Sequence, residues 1–248
     1  MDLLSTAIPI ARGASGEVYQ VYDPRLQRKV ALKLLRHGDP ESIRRMLREA
    51  RAQARVDHPN VCKVYEVGER DGRPYIVMQL VEGQTLDEAV DGLPLDRKVE
   101  LMATVAEAIQ AAHAVGLVHR DLKPANILVE ERDGALRPIV VDFGIAREMN
   151  SESMTMTGEL LGTPAYMSPE QVRGDLEALD RRSDVFSLAV LLYEIVAGVH
   201  PFAAKSTVET MVGITRRDPP LLRRIAPRLP QDLVAVIEKA LEKSPERS

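Results

Sequence analysis

Several features that would restrict the fold or the cellular setting are scarce or absent in this sequence. Its 248 residues include one cysteine, Cys62, which cannot form an internal disulfide and has no neighbours at metal-ligand spacing. We therefore predict a buried structural thiol in a reducing compartment. Lysine and arginine total 33 against 37 acidic residues, so the net charge of −4 lacks the basic excess of a domain that binds many phosphates. No nucleic-acid partner is expected.

Long apolar runs, repeats and low-complexity segments are also missing. Residues 1–10 have no charged start followed by an apolar run, so no signal peptide is predicted. The longest apolar stretch, residues 185–199, spans 15 residues and includes Tyr193 and Glu194. It is too short to cross a bilayer and predicts a buried helix. We expect a cytoplasmic chain without a membrane segment, either complete or cut at Ser248 from a longer, membrane-anchored protein.

The composition present is that of a globular domain with a substantial core. Hydrophobic residues make up 45% and charged residues 28%, which excludes disordered and collagen-like chains. At about 150 residues per domain, the length fits one large domain or two closely joined lobes. Short β-branched runs separated by turn residues predict strands at residues 17–22, 29–35, 61–67 and 74–80, with Asp71-Gly72 as a hairpin turn between the last two.

One helix is predicted among these strands. Asp39 is its N-cap, Pro40 its first residue, and Glu41 an acidic residue of its first turn. Apolar residues share one face, and arginines share the opposite face: Ile43, Met46, Leu47, Ala50 and Ala54 against Arg44, Arg45, Arg48, Arg51 and Arg55. Glu49 lies at the edge of the apolar face, where it can turn towards the sheet. The arginine face is either a docking surface for acidic partners or a solvated surface, and the second interpretation is favoured.

The rest of the chain is predicted to be mainly helical. Apolar residues recur near every 3.6 positions at residues 95–115, 185–196, 207–215 and 231–241. Between these helices lie two polar, turn-rich stretches, residues 116–143 and 144–170. Loops of this length in a compact domain usually have a function.

Two glycines and a lysine in the strand region are ambiguous by themselves. Gly13 and Gly16 have a spacing that lets the backbone approach a phosphate closely, but two glycines can also simply form a hairpin turn. Lys33 ends an apolar strand, where its ammonium needs a partner. A lysine at this position is equally common in edge strands, where its charge prevents pairing with a strand of another molecule.

Polar motifs in the second part of the chain decide between these readings. The sequence HRDLKPAN at residues 119–126 gathers Asp121, Lys123 and Asn126, and it is followed by DFG at residues 142–144 and SPE at residues 168–170. In this order and spacing the motifs match the protein kinase signature. Over nearly its whole length the chain resembles the bacterial, eukaryotic-like Ser/Thr protein kinases. The resemblance implies a bilobal α+β fold, with a small lobe of antiparallel sheet and one helix, and a larger, mainly helical lobe.

The resemblance also implies a phosphate and metal site. Lys33 would hold the α- and β-phosphates of ATP and would itself be held by an ion pair with Glu49. Mg²⁺, with Mn²⁺ as an alternative, would bind Asn126 and Asp142, since this hard cation prefers oxygen ligands. Phosphoryl transfer depends mainly on positioning and charge neutralisation, which these groups would supply.

The acceptor and the adenine would lie on either side of these phosphates. Asp121 would orient or accept the proton of the attacking hydroxyl, with Lys123 beside the γ-phosphoryl. The resemblance places the adenine in an apolar slot, with hydrogen bonds to the backbone of two hinge residues; the slot residues are Ile10, Val18, Ala31, the gatekeeper Met78 and Leu128, and the hinge residues are Gln79 and Val81.

The same resemblance gives the acceptor class and two structural contacts. Lys123 and the segment GTPAY at residues 162–166 resemble Ser/Thr kinases and not tyrosine kinases, so the substrates would be Ser or Thr hydroxyls of proteins. Asp184 would bond the backbone of the catalytic loop, and a simple N-cap is the alternative. Glu170 would form a structural ion pair with Arg247.

Regulation by phosphorylation is a further implication. Arg120 directly precedes Asp121, the predicted base. In the kinases that this chain resembles, an arginine at this position binds a phosphate of the activation loop through charge-assisted hydrogen bonds. Thr155 and Thr157, which lie before Thr163, are the predicted autophosphorylation sites. A homodimer that supports autophosphorylation is compatible with the resemblance.

The sequence departs from the family pattern at three positions. Ala11 replaces the first glycine of the glycine-rich loop, and Gln79 replaces a hinge acid; we expect both to be tolerated. Gln53 replaces an apolar residue four positions after Glu49, and as a polar group it must be hydrogen-bonded or solvated. We hypothesise that it favours a displaced helix in which Lys33 and Glu49 lie apart.

The leading interpretation is one kinase unit with an N-lobe at residues 1–79, a hinge at 79–83 and a C-lobe at 84–248, its end either natural or truncated. Two alternatives remain. One is a pseudokinase that binds nucleotide as a scaffold, against which the intact Lys33, Glu49, Asp121, Asn126 and Asp142 argue. The other is a small-molecule phosphotransferase of related fold.

Overall fold

A five-stranded antiparallel sheet forms the first part of the molecule. The computed structural model describes residues 7–13, 16–25, 27–35, 40–70, 72–143, 164–175 and 177–243. The strands of this sheet are β1 (Ile8–Gly13), β2 (Gly16–Asp23), β3 (Arg28–Leu35), β4 (Val64–Arg70) and β5 (Arg73–Gln79), in the spatial order β1-β2-β3-β5-β4.

The central strand β3 is buried on both faces, and its alternating side chains belong to different clusters. Val30, Leu32 and Leu34 pack with Val21 and Val77 on one face. The intervening residues Ala31, Lys33 and Leu35 point to the other face, because side chains alternate along a strand. The position of Lys33 on this face follows from the apolar alternation around it.

Helix α1 (Pro40–Gln53) covers the second face of the sheet. Met46 and Ala50 are fully buried against Leu35 of β3 and Ile76 of β5. The predicted start at Pro40 is confirmed, whereas Asp39 lies outside the described residues. Ala54 was predicted to face inwards, but it is exposed because the helix ends one residue earlier.

The second part of the molecule is helical around a small sheet. Its longest helices are α3 (Leu95–Ala114) and α5 (Arg181–Ala197). The short helix α2 (Leu86–Val90) precedes α3, and the short helix α4 (Pro169–Arg173) precedes α5. The later helices are α6 (Thr207–Arg216), α7 (Leu222–Ile225) and α8 (Gln231–Ala240). Three short strands form the order β6-β7-β8: β6 (Gln84–Thr85), β7 (Ile127–Arg132) and β8 (Ala135–Val140). No helix within the described ranges has the length and apolarity to cross a membrane.

Two apolar cores hold this part together. One lies between α3, β7, β8 and Phe143, and the other lies between α5, α6 and α8. The Cys62 thiol is buried beside Ala31 and Met78, which confirms its structural role, and burial raises its pKa to about 12.

The structure corrects the prediction for residues 116–143. This stretch contains the β7–β8 hairpin, whose two-residue turn Asp133-Gly134 has positive φ at both residues, 53° and 75°. Asp-Gly is a strong signal for that turn type, so the sequence did carry the information. Helix α5 also begins four residues before the predicted start, at Arg181, where the Asp180 side chain accepts a hydrogen bond from the amide of Arg182. Asp184 is therefore not the N-cap.

Candidate active site

A polar network assembles the side chains of Asp121, Lys123 and Asn126. They precede β7, where a 3-10 turn at Pro124–Asn126 brings the amide of Asn126 back onto Asp121. Asn126 Nδ2 donates to the Asp121 carbonyl at 2.7 Å and to its Oδ2 at 3.0 Å. Lys123 Nζ lies 2.7 Å from the same Oδ2. The carboxylate is thereby fixed in one orientation beside a cation.

Asp142 and Lys33 form the second half of the site. Lys33 Nζ lies 2.7 Å from Asp142 Oδ1, and the lysine side chain is only 1% exposed. Loss of water contact raises the pKa of Asp142, but the charge and hydrogen bond of Lys33 outweigh this effect, and the pKa is lowered overall. The pair therefore joins β3 to the segment that follows β8.

The two halves are connected through main-chain and histidine contacts. The amide of Val141 donates to the carbonyl of Asn126 at 2.9 Å, so Asp142 directly follows a residue bonded to the first network. His119 Nδ1 accepts from the amide of Asp121 at 3.3 Å. Its Nε2 then carries the proton and donates to the Val141 carbonyl at 3.0 Å. His119 thus links the segments that hold Asp121 and Asp142.

Asp184, on helix α5, binds the segment HRDLKPAN at residues 119–126, which we call the catalytic loop because of its predicted role. Its carboxylate is 1% exposed and accepts hydrogen bonds from the amides of His119 and Arg120, each at 2.8 Å. This bears out the expected backbone contact and not the N-cap alternative. His113, at the end of α3, donates from Nε2 to the same carboxylate at 2.7 Å. The sequence analysis missed His113, since a lone histidine in a helix carries no motif.

Arg120 has an unusual backbone conformation that its neighbours stabilise. Its φ is 64°, a value that costs energy for any residue other than glycine. Asp184 binds its amide from one side, and Gln171 Nε2 donates to its carbonyl at 2.8 Å from the other. Gln171 is a second residue that sequence reasoning missed.

The expected ion pair between Lys33 and Glu49 is not formed in this structure. Glu49 Oε1 instead lies 3.3 Å from Arg120 Nη1, while Lys33 is bound to Asp142. The prediction of a direct Lys33–Glu49 contact was therefore wrong for this state. The physical reason is that each charge has an alternative partner of opposite sign nearby.

Gln53 does not carry an unsatisfied polar group. It is 3% exposed, and its Nε2 donates to the Cys62 carbonyl at 2.9 Å. The requirement that it be hydrogen-bonded is met inside the protein. Lys33 and Glu49 form no ion pair, as hypothesised, but the hydrogen bond to the Cys62 carbonyl offsets the cost of burying the Gln53 amide, so that cost does not explain their separation.

Some of the residues predicted for the adenine slot lie together. Ala31 and Met78 are buried in one cluster, with Val18 and Val81 packed at its edge. Three other predicted positions lie at the border of this cluster: Ile10 is 50% exposed on β1, Leu128 of β7 pairs with Ile139 of the cluster, and the carbonyl of Gln79 accepts from the Cys62 thiol while its amide donates to the Lys63 carbonyl.

The two glycines of the predicted loop differ in what they permit. Gly16 has a φ of 149°, and a Cβ there would lie 2.0 Å from the Leu34 carbonyl oxygen. A Cβ at Gly13 would meet open space within 4 Å. Gly16 is therefore required by the close approach of β2 to β3, whereas Gly13 is left open towards solvent or a ligand.

A second group of polar residues supports the segment Pro164–Tyr166. Tyr166 OH donates to Glu194 Oε2 at 2.7 Å. His200 Nε2 donates to the Ala165 carbonyl at 3.1 Å, and its Nδ1 accepts from the amide of Phe202 at 3.1 Å. Sequence reasoning missed these three side chains, because the contacts join positions about 30 residues apart.

Glu170 is buried at the start of α4, where it accepts a hydrogen bond from Ser183 Oγ at 2.5 Å. Its predicted partner Arg247, the threonines Thr155, Thr157 and Thr163, and the Gly144 of the DFG motif lie outside the described residues.

The oxygen atoms present fit a divalent cation. The amide nitrogen of Asn126 is engaged with Asp121, so its carbonyl oxygen is the atom available to a metal. Asp142 binds Lys33 through one carboxylate oxygen, which leaves the other on the same side chain. An amide and a carboxylate oxygen on neighbouring segments are a ligand set typical of Mg²⁺.

Comparison with known proteins agrees with this geometry. The family model described as protein kinase domain matches residues 6–247. The chain belongs to the protein kinase domain family. This kinase domain is 41% identical over 245 residues to the serine/threonine-protein kinase PknB of Mycobacterium leprae, and 39% identical over 242 residues to PrkC of Bacillus subtilis.

These relatives are much longer proteins. The alignments cover 94% and 95% of this chain, but only 39% and 37% of the two relatives. Among solved structures, the kinase domain of PknI from Mycobacterium tuberculosis, solved as a double mutant, superposes with a TM-score of 0.73 at 30% identity, covering 96% of this chain and 87% of that one. The bilobal α+β kinase fold is therefore confirmed.

Proposed function

We propose that this domain transfers the γ-phosphoryl group of Mg-ATP to Ser or Thr hydroxyls of proteins. One observation supports this most strongly: the Asp121–Lys123–Asn126 network and the Lys33–Asp142 pair meet through the Val141 to Asn126 hydrogen bond. A candidate base, two lysines and two oxygen ligands thus share one site.

Each side chain has a distinct role in this proposal. Asp121, held by Asn126 and Lys123, orients the acceptor hydroxyl and takes its proton. Lys123 lies 2.7 Å from Asp121 Oδ2 and would offset negative charge on the transferred group. Lys33 binds the α- and β-phosphates.

ATP and Mg²⁺ are the proposed substrate and cofactor, with Mn²⁺ as an alternative. Asn126 and Asp142 would hold the ion. When bound, the cation neutralises phosphate charge and orients the transferred group. The proposed adenine slot is formed by Val18, Ala31 and Met78, with the site at its edge completed by Ile10, Gly13, Leu128, Gln79 and Val81 as predicted.

The predicted domain boundaries are part of this proposal. We propose an N-lobe at residues 1–79, a hinge at 79–83 and a C-lobe from 84, because β5 ends at Gln79 and β6 begins at Gln84. The relatives are named serine/threonine-protein kinases, which supports protein Ser/Thr acceptors. A cytoplasmic location and a homodimer for autophosphorylation remain proposals.

Regulation by phosphorylation is part of the proposal. Arg120 Nη1 lies 3.3 Å from Glu49 Oε1. In this proposal the guanidinium competes with Lys33 for the Glu49 carboxylate. A phosphate on Thr155 or Thr157 would compete for Arg120 through stronger, charge-assisted hydrogen bonds. Release of Glu49 towards Lys33 would then stabilise the phosphate-binding position of the lysine.

The test combines label transfer and intact mass. The chain is incubated with Mg²⁺ and γ-labelled ATP, with and without a generic protein substrate, and labelled amino acids are identified. We expect label on Ser and Thr, and added phosphate on the chain itself at Thr155 or Thr157. Asp121→Asn should lower transfer by about 10²-fold or more. The matched control is Asp232→Asn, an exposed residue of α8, which should keep full activity.

Other outcomes would favour the alternatives. Mg-ATP binding without any transfer by the parent chain would indicate a pseudokinase scaffold. Label on small hydroxyl compounds but not on protein would indicate a small-molecule phosphotransferase.

A further inference from the structure

Four arginines follow the outer face of α1 and the turn after it. Arg44, Arg48, Arg51 and Arg55 follow one another at intervals of four, three and four residues, and all four are exposed. At 100° per residue the three arginines on α1 fall within an arc of about 60°. Arg55 lies in the turn after the helix, where the amide of Ala54 still donates to the Ala50 carbonyl, and at about 1.5 Å per residue the four positions span about 16 Å. We call this set the arginine stripe. It lies opposite the buried face formed by Met46 and Ala50.

Three members of the stripe have no acidic partner among the residues that the structure describes. Arg48, Arg51 and Arg55 make no ion pair there, so their exposed guanidinium groups face solvent. Like charges three or four residues apart on a helix repel each other and destabilise it. Arg51, in the last turn, interacts favourably with the helix dipole, but the mutual spacing of the arginines adds repulsion.

The chemistry of the stripe favours an acidic protein segment over other anionic partners. The whole chain has a net charge of −4, which opposes binding to the extended backbone of a nucleic acid. None of the large exposed apolar side chains recorded for the described residues lies on α1, so a membrane-inserting face is missing. Guanidinium groups bind carboxylates through paired, parallel hydrogen bonds.

We propose that the arginine stripe docks a short acidic segment of a partner protein. The segment carries carboxylates along about 16 Å, as three turns of an acidic helix or about five extended residues do. This surface is separate from the catalytic site, so the inference does not depend on phosphoryl transfer.

The experiment measures binding of a defined probe to the full 248-residue chain. The probe is a fluorescent, alanine-based helical peptide with glutamates at the spacing of the four arginines, and its control has glutamine in their place. We expect saturable binding of the glutamate peptide that weakens with added salt, because exposed charges are screened. Arg48→Glu with Arg51→Glu should weaken it by about tenfold or more.

The controls are a matched double variant on α7 and a second probe, vesicles of anionic lipid. Arg223→Glu with Arg224→Glu changes two exposed arginines on α7 and should leave the affinity unchanged. If the charge reversal on α1 impairs folding, as shown by its melting curve, Arg48→Gln with Arg51→Gln replaces it. Absence of saturable peptide binding, equal loss in both double variants, or stripe-dependent binding only to vesicles of anionic lipid would each overturn the proposal.

Discussion

Two buried polar side chains, Lys33 and Gln53, are each held in place by one specific partner. The Lys33 side chain has almost no contact with solvent, and Asp142 Oδ1 lies 2.7 Å from its Nζ. Gln53 is buried at a position where an apolar residue was expected, yet the Cys62 carbonyl satisfies its amide. In both cases one specific partner offsets the cost of taking a polar group out of water.

Gly16 is the residue at which a single methyl group should matter most. Gly16→Ala places a Cβ against the Leu34 carbonyl at a φ that L-residues rarely adopt, so we expect the free energy of unfolding to fall by about 2–4 kcal/mol. Gly13→Ala is the control, and it should change stability by less than about 0.5 kcal/mol. Urea denaturation followed by far-UV circular dichroism measures both, since the chain has no tryptophan. Equal losses for the two variants would contradict this account.

At the scale of elements, two acidic residues of α5 hold the segments that form the site. Its Asp184 fixes two amides of the catalytic loop and the His113 ring of α3, so three segments distant in sequence share one buried carboxylate. Its Glu194 holds Tyr166, while the connection that follows α5 places His200 against Ala165. The helix therefore positions both the catalytic loop and the segment Pro164–Tyr166.

His200 makes the stability of this arrangement dependent on pH. Burial lowers the pKa of His200, although the charge of Glu194 and the Ala165 carbonyl partly oppose the shift. The neutral ring donates to Ala165 and accepts from Phe202, so its stabilisation is complete above the unfolded pKa of about 6.5. Stability should be lost as the pH falls below 6.5 through the lower folded pKa.

The comparison of the parent chain with His200→Asn isolates this effect. Asparagine can still accept from the amide of Phe202 but does not titrate. We expect the stability advantage of the parent chain to be constant above about pH 6.5 and to shrink progressively as the pH falls below this value. Thermal unfolding at each pH measures it. An advantage that is flat or larger in acid would refute the assignment.

At the scale of the whole molecule, the site joins the two parts of the fold. Lys33 comes from the five-stranded sheet, Asp142 follows the smaller sheet, and Glu49 of α1 reaches Arg120 of the catalytic loop. Both bridges are ion pairs with charges that can exchange partners. We therefore expect a ligand that carries phosphates and a cation to change the contacts between both parts at once.

Mg-ATP should accordingly stabilise the whole domain. At about 100 times its dissociation constant, the ligand adds about 2.7 kcal/mol to the free energy of unfolding. We expect a higher melting temperature with Mg-ATP than with ATP and EDTA. Asp142→Asn should abolish this difference, because a proposed metal ligand is lost, and Asp232→Asn should retain it. A magnesium effect that survives in Asp142→Asn would place the metal elsewhere.

Short stretches of the sequence determined most of the secondary structure and the family of this protein. Residue spacing predicted the four longest strands of the first sheet, the start of α1 at Pro40 and the long helices, because hydrophobic periodicity and turn residues act over a few positions. The motifs around Asp121, Asn126 and Asp142 predicted the kinase family for the same reason: their chemistry lies in short, ordered segments.

Only the tertiary structure decided which charges become partners. Lys33, Glu49, Arg120 and Asp142 could all be chosen from the sequence, yet the pairs formed are Lys33 with Asp142 and Glu49 with Arg120. The contacts of His113, Gln171 and His200 were likewise invisible beforehand. Such pairings depend on how separate elements pack, since several opposite charges lie within reach and distances of a few ångströms determine which attraction is strongest.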